Sequence, residues 1–210
     1  MTNLDIKQKT IAKEVSLSGV GLHTGKSVNM TFKPAPENYG YAFVRIDLEG
    51  KPVIEADANY VVTTERGTNL EKNGVNINTS EHVLAALVGL QIDNCIIELD
   101  ASEPPIMDGS SKYFIEILET AGLIEQEAFV EEYVVKEIIS YKDEKTGSEI
   151  MILPSEKYEL TTMVDFGTNV LGTQNAFINE ISEFKKEISD SRTFSFLHEI
   201  EMLLDHGLIK

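Results

Sequence analysis

The order of hydrophobic patterns is the feature that most restricts how this sequence can fold. Three segments near the start, TIAKEVSLSGV, KSVNMTFKPA and YAFVRIDL, alternate β-branched or aromatic residues with polar ones, and glycine or proline stands at the breaks. This alternation predicts strands, and VIEADANYVV and GVNINT continue it. NCIIELD, further along the chain, is apolar enough to predict a buried strand.

Two helices are predicted between and after these strands. The first follows NTSEH, where Thr79 or Ser80 is expected to cap the helix. Its apolar stripe is formed by Val83, Leu84, Ala86, Leu87 and Leu90. The second, SKYFIEILETAGL, is amphipathic and has a glycine stop at Gly122. Helices that cover one face of a sheet indicate an α+β fold, with a first domain over residues 1–126.

The second half repeats this order after EQEAFVEE, which we interpret as a connector. EEYVVKEIISYK, GSEIMILPS and YELTTMVDF are strand candidates in hairpin order, and INEISEFKKEI and FLHEIEMLLDHGL are helix candidates. This pattern predicts two α+β domains of similar topology, each a mainly antiparallel sheet packed against helices. The second repeat lacks a final strand, so we expect residues 127–210 to be the start of an incomplete, truncated domain.

Composition argues against several classes of protein. The formal net charge of −17 disfavours a nucleic-acid partner, because phosphate binding needs a positive surface. No apolar run approaches the roughly 20 residues of a membrane-spanning helix, and the N-terminus has no apolar signal core. The single cysteine, Cys95, cannot form an internal disulfide and is interpreted as a buried small hydrophobe. We therefore expect a cytoplasmic protein that is not an integral membrane protein.

The adjacent residues Glu81 and His82 stand at the start of the first helix and have two interpretations. An imidazole can bind a catalytic zinc, and a neighbouring carboxylate can take a proton from the attacking water. A glutamate in a first helical turn is also favoured by the helix dipole alone. Taken by themselves, these residues favour the helix start over the metal site.

Other polar residues are also candidates for a site. His23 lies in the glycine-rich VGLHTG turn, where a ligand could approach the backbone closely, although a simple turn histidine is at least as well supported. Thr193 in SRTF could donate a hydrogen bond to an oxyanion, and the alternative is a helix cap beside core phenylalanines. His198 and His206 lie in an acidic helical pattern that is typical of a solvated face.

Taken together and in order, GVGLHTGKSVNMTFKPAP, TSEHVLAALVGLQIDNCIIELDASEPPIMDGSS and SRTFSFLHEIEMLLDHGLIK resemble the UDP-3-O-acyl-N-acetylglucosamine deacetylases, zinc amidases of lipid A synthesis. The resemblance covers essentially all 210 residues. It implies two α+β domains of like topology with the active site between them. The substrate it implies is UDP-3-O-acyl-N-acetylglucosamine, which loses its N-acetyl group.

The resemblance also implies roles for particular residues. Glu81 matches the general base and His82 the first zinc ligand. Thr193 matches the residue that polarises the amide carbonyl, and Phe194 matches a residue that lines the substrate site. His23 corresponds to the histidine near the sugar and phosphate. Asp165 and Phe166 fall where the family contacts the nucleotide.

The family's other two zinc ligands, a histidine and an aspartate, have no counterpart in this sequence, and His198 and His206 do not match them. We therefore expect a deacetylase chain that lacks the downstream part of its site and is inactive alone. The alternative is a catalytically inactive nucleotide-sugar binding or regulatory fragment of the same fold.

Overall fold

The computed structural model describes residues 2–64, 67–197 and 200–201. Within these ranges the strands are β1 (Thr2–Ile11), β2 (Val15–Val20), β3 (Ser27–Pro34), β4 (Tyr41–Arg45), β5 (Val53–Glu55), β6 (Val61–Thr63), β7 (Asn69–Lys72), β8 (Val75–Ile77), β9 (Cys95–Leu99), β10 (Leu123–Glu132), β11 (Ile139–Lys142), β12 (Glu149–Ile152), β13 (Leu160–Asp165) and β14 (Thr173–Ile178). The helices are α1 (Glu81–Gly89), α2 (Lys112–Ala121) and α3 (Phe184–Glu187), with 3₁₀ turns at Ala58–Tyr60 and Ile181–Glu183.

A five-stranded sheet in the order β2-β3-β9-β4-β5 carries the core. Its middle strand β9 is antiparallel to β3 and parallel to β4, with Phe43 opposite Ile97. The buried residues Val83 and Leu87 of α1 and Phe114 of α2 belong to the same hydrophobic cluster as these strands. The predicted α+β fold is therefore confirmed, with mainly antiparallel strand pairing.

Several predicted elements are confirmed in their place and type. The stripe of α1 is buried at Val83, Ala86 and Leu87, and α2 ends at Gly122, whose φ of +69° fits the predicted glycine stop. Cys95 is a free, fully buried thiol, and burial raises its pKa to about 12.

None of the helices in the described part of the chain is long and apolar enough to cross a membrane.

The interpretation of EQEAFVEE as a connector is wrong. These residues lie in β10, which pairs antiparallel with β1 along Thr2 to Ile11. The pair forms a two-stranded sheet in which most β10 residues stay exposed, so an acidic strand meets no desolvation penalty. The domain boundary predicted between residues 126 and 127 lies within β10, and the division into two domains stays a prediction.

The secondary structure differs from the sequence patterns at other places too. The segment TIAKEVSLSGV is divided between β1 and β2, which belong to different sheets. INEISEFKKEI forms only a 3₁₀ turn and the short α3, and strand β14 was not predicted. β11 pairs with β12, but β13 pairs with β14, so the predicted continuous hairpin order holds only for the first pair. The third predicted helix lies largely outside the described residues, as do His198 and His206.

The buried side chain of Asn94 joins β1 and β10 to the main sheet. Its amide nitrogen donates to Gln8 Oε1 at 2.9 Å and to Gln126 Oε1 at 2.7 Å, and its oxygen accepts from the Gly40 N–H at 2.8 Å. Only 1% of its surface is exposed, so these three bonds replace water. Polar contacts of Asn94 thus join the largely exposed β10 to the main sheet, together with β1, whose Ile11 is part of the apolar core.

We expect Asn94→Ala to lower the free energy of unfolding by about 3 kcal/mol, because it leaves buried donors and acceptors without partners. Urea denaturation measures this change. Asn175→Ala, at an exposed position of β14, is the control and should change stability by less than about 0.5 kcal/mol. Equal effects of the two substitutions would show that the Asn94 contacts contribute no net stability.

Candidate functional site

The N-terminus of α1 is held by the residues that lead into β7. The Thr68 N–H donates to Glu81 Oε2 at 2.8 Å, and the Thr68 carbonyl accepts from the Ser80 N–H at 3.1 Å and the Ser80 hydroxyl at 2.9 Å. Asn69 Oδ1 accepts from the Thr79 N–H at 3.1 Å. Three successive residues before and at the helix start are therefore fixed by one short segment.

The predicted helix cap is wrong in its chemistry, although the helix begins where expected. Ser80 occupies the N-cap position, but its side chain makes no capping bond. Thr79 has φ of +53°, a left-handed conformation that costs a β-branched residue roughly 1–2 kcal/mol. The surrounding contacts must maintain this conformation, and such strained residues are concentrated at functional sites.

Glu81 and His82 form a close carboxylate–imidazole pair. Glu81 Oε1 lies 3.9 Å from His82 Nε2, and the side chains are 37% and 19% exposed. The Ser111 hydroxyl donates to the His82 carbonyl at 3.0 Å, which ties this turn of α1 to the start of α2. The Thr68 N–H thus holds the Glu81 carboxylate and Ser111 holds the His82 backbone, while both side chains stay partly exposed.

Gly67 lies directly against this pair. A Cβ added there would come within 3.4 Å of Glu81 Oε1 and 3.3 Å of the Thr79 Cα atom. The preceding Glu65 and Arg66 lie outside the described residues.

The segment that contains Thr193 packs on the turn before α2. The Thr193 N–H donates to the Gly109 carbonyl at 2.8 Å, and the Ser111 N–H donates to the Ser189 carbonyl at 3.1 Å. Arg192 Nε lies 3.3 Å from Asp108 Oδ2. Because Ser111 also bonds to His82, the structure connects the Thr193 segment to the Glu81–His82 pair through a single turn.

Asp108 is the acidic residue of this turn. Partial burial acts to raise the pKa of its carboxyl, but the hydrogen bonds from the Ser110 hydroxyl and N–H, with the positive charge of Arg192, outweigh it. The pKa of Asp108 is therefore held below its ordinary value. This favours the charged carboxylate, which pairs with the positive charge of Arg192.

The structure brings Phe194 and Phe166 together. Their ring centroids are 5.1 Å apart in an edge-to-face arrangement, and Phe196 lies 5.8 Å from Phe194 and 6.3 Å from Phe166. Phe194 remains 59% exposed. Asp165, at the end of β13, is exposed and accepts a hydrogen bond from the Gly167 N–H at 2.9 Å. Phe166 and Phe194, from the two predicted substrate-binding segments, therefore lie in one partly exposed aromatic cluster.

His23 lies in the turn between β2 and β3, whose backbone is bound by Glu103. The Glu103 carboxylate is fully buried and accepts from the N–H groups of His23 and Thr24. Sequence analysis missed Glu103, although its position in ASEPPIMDGSS, a short distance after a buried strand, was a usable signal.

The described residues were compared with the ligand set that a catalytic metal needs. Among them there is no group of three or more His, Cys, Asp and Glu side chains that could hold a metal ion. A catalytic zinc needs about three protein ligands, of which His82 offers one imidazole. Among the described residues, the imidazole of His82 is a ligand of the kind that zinc binds, but it is not accompanied by a group of further ligands.

The fold and this pair define an α+β protein with a candidate hydrolytic site at a helix start. Comparison with known sequences is more specific, because the profile of the UDP-3-O-acyl N-acetylglycosamine deacetylases matches residues 8–210. The bifunctional enzyme LpxC/FabZ of Bacteroides thetaiotaomicron is 48% identical over 205 residues, which are 98% of this chain and 44% of that protein. The UDP-3-O-acyl-N-acetylglucosamine deacetylase of Saccharophagus degradans is 42% identical over 98% of this chain and 68% of its own length.

This chain belongs to the UDP-3-O-acyl N-acetylglycosamine deacetylase family. It spans about half the length of the curated bifunctional relatives that it matches, and 64% of the UDP-3-O-acyl-N-acetylglucosamine deacetylase of Myxococcus xanthus.

Gly109 offers a test of how the Thr193 segment is held. Its φ is +84°, and an added Cβ would lie 3.2 Å from Thr193 Cγ2. We expect Gly109→Ala to destabilise the chain by about 1–2 kcal/mol through its backbone and to accelerate amide exchange in residues 189–197 through the displaced threonine.

Gly74→Ala is the matched control, because Gly74 has φ of +78° with no atom within 4 Å of an added Cβ. It should cost similar stability and leave exchange in residues 189–197 unchanged. Unchanged exchange in both variants would show that Gly109 does not position the segment.

Proposed function

We propose that the protein to which this chain belongs hydrolyses the N-acetyl group of UDP-3-O-acyl-N-acetylglucosamine, a step of lipid A synthesis. Water attacks the amide carbonyl, acetate leaves and a free amine remains on the sugar. The observation that carries the proposal is the accessible Glu81–His82 pair, connected through Ser111 and the Gly109 turn to the Thr193 segment. The names of the relatives state this activity for those proteins.

In this proposal Glu81 is the general base. Its Oε2 is fixed by the Thr68 N–H, which leaves Oε1 to accept a proton from the attacking water. The N-terminus of α1 also stabilises the negative charge of the carboxylate. The Thr68 N–H therefore holds the proposed base in one orientation.

His82 is the zinc ligand that this chain supplies, and a zinc ion bound there would polarise the amide and lower the pKa of the attacking water. The Thr193 hydroxyl donates a hydrogen bond to the carbonyl oxygen as negative charge develops on it. The Thr193 N–H is already used by Gly109, so the side chain is the group available to substrate.

The remaining proposed contacts bind the substrate away from the reacting carbonyl. His23 lies near the sugar and phosphate, Phe194 lines the substrate site, and Asp165 with Phe166 contacts the nucleotide. The edge-to-face contact of Phe166 with Phe194 supports a common binding surface for these groups.

A second candidate function is a nucleotide-sugar binding or regulatory chain without catalysis. It is favoured by one observation, the lack of a group of three metal ligands among the described residues. Substrate binding without turnover in the full-length gene product would support it.

Metal content and acetate release should separate these functions. We expect the protein expressed from its complete gene to bind about one zinc ion and to deacetylate the substrate. We expect the 210-residue chain alone to retain no stoichiometric zinc, because its described residues contain no group of three ligands. Elemental analysis and an acetate assay on both proteins measure this. Stoichiometric zinc in the short chain would contradict the assignment of His82 as its single ligand.

In the full-length protein we expect Glu81→Gln to lower kcat by about a hundredfold or more while zinc stays bound, because the base is lost and the ligand is not. Glu71→Gln, which removes the same charge from an exposed position of β7, should leave kcat unchanged. Full activity of Glu81→Gln would exclude Glu81 as the base.

A further inference from the structure

Glu103 is a buried carboxylate that joins two separate parts of the candidate site. Its Oε1 accepts from the His23 N–H at 3.0 Å and the Thr79 hydroxyl at 3.2 Å. Its Oε2 accepts from the Thr24 N–H at 2.9 Å and from the same His23 N–H at 3.2 Å. The residue is 0% exposed. One side chain thus binds the turn between β2 and β3 and the residue that precedes the helix start.

We propose that Glu103 is a positioning residue, which holds the His23 turn and the Glu81–His82 helix start in one fixed arrangement and acts on the reaction through Thr79. This inference rests on the proposed deacetylase function. Glu103 itself is too deeply buried to touch substrate, so its effect must pass through the groups that it binds.

The Thr79 conformation is the first argument. A threonine with φ of +53° needs contacts that outweigh its strain, and here the Asn69 side chain holds the N–H while Glu103 holds the hydroxyl. Thr79 is two residues from Glu81. The Glu81 carboxylate is fixed by Thr68, the residue next to Asn69. Without the Glu103 contact the strained Thr79 backbone can relax, and we expect this relaxation to displace Glu81, the proposed base.

The fit of the turn is the second argument. A Cβ added at Gly21 would lie 2.5 Å from Glu103 Oε2 and would also meet the Thr24 hydroxyl oxygen. The backbone of the turn thus approaches the carboxylate so closely that a side chain at this position would collide with it. The Asn78 N–H also donates to the Ser102 carbonyl at 2.8 Å, so the residue next to Glu103 holds the residue next to Thr79.

The two sides of the contact can be broken separately. Thr79→Val removes only the hydroxyl bond on the α1 side. Glu103→Gln keeps the shape but replaces one acceptor oxygen with an NH₂ group, so the bonds from the His23 N–H to both oxygens and from the Thr24 N–H to Oε2 are left with one acceptor oxygen instead of two. Thr10→Val is the control, because the buried Thr10 hydroxyl bonds to Asn94 and Ala35, beyond the opposite end of α1.

The test is steady-state kinetics of the three variants in the full-length protein, at a temperature where unfolding scans show each to be folded. We expect Thr79→Val to lower kcat about tenfold or more with little change in KM, since misplacing a catalytic group by about 1 Å costs about a hundredfold. Glu103→Gln should raise KM through the His23 turn, and Thr10→Val should change neither. Kinetic effects no larger than those of Thr10→Val would overturn the proposal.

A double-mutant cycle with Glu103→Ala and Thr79→Val shows whether the residues act together. We expect the second substitution to change kcat little once the first is present. Independent, multiplying effects would contradict action through Thr79. If Glu103→Ala fails to fold, the same cycle with Glu103→Gln tests whether the two residues act together, because Glu103→Gln keeps the side-chain volume.

Amide exchange distinguishes failure of this inference from failure of the proposed function. If the unmodified protein has no deacetylase activity, the function fails, and exchange in residues 21–25 and 67–84 still reports on Glu103. Faster exchange in both segments for Glu103→Gln, but not for Thr10→Val, supports the positioning role. Exchange unchanged in both segments overturns it.

Discussion

Burial of strand β9 is the constraint on which the rest of the structure depends. Cys95, Ile97 and Leu99 point into the core, and β9 pairs with β3 on one side and β4 on the other. Its parallel pairing with β4 requires a crossover, and α1 lies within that connection, covering the core through Val83 and Leu87. The position of α1, and therefore of Glu81 and His82 at its N-terminus, follows from satisfying both neighbours of one buried strand.

Buried polar side chains then fix the segments that lie at the two ends of β9. Asn94, immediately before the strand, fastens β1 and β10 to the main sheet, and Glu103, shortly after it, fastens the His23 turn to Thr79. Both side chains are almost fully buried and fully hydrogen-bonded, a condition in which polar residues specify one arrangement of a core. The apolar core stabilises the fold, while these two residues determine how the segments around it are placed.

The second half of the chain has a different character. Every residue of β11, β12 and β13 is exposed, and the two hairpins lie outside the main hydrophobic cluster. Contact with the first half comes instead from Phe184, whose ring fills the space over Gly89 of α1, and from the hydrogen bonds of Ser189 and Thr193 to the turn before α2. Sequence patterns predicted three of these four strands, but they gave only part of the pairing, because exposed hairpin strands have no buried face to fix their partners.

The sequence by itself determined the α+β class, the buried strand β9, the helices α1 and α2 and the Glu81–His82 pair at the helix start, because hydrophobic periodicity and local turn chemistry are written in neighbouring residues. It also carried the resemblance that the family comparison confirmed. Tertiary structure alone decided that the acidic residues 123–132 form a strand with β1, that Thr79 takes a strained conformation instead of capping, and that Glu103 joins residues 23 and 79. These features depend on contacts between residues from 10 positions apart, for Asn69 and Thr79, to 130 positions apart, for Thr2 and Glu132. No local pattern encodes the partner of a buried polar group.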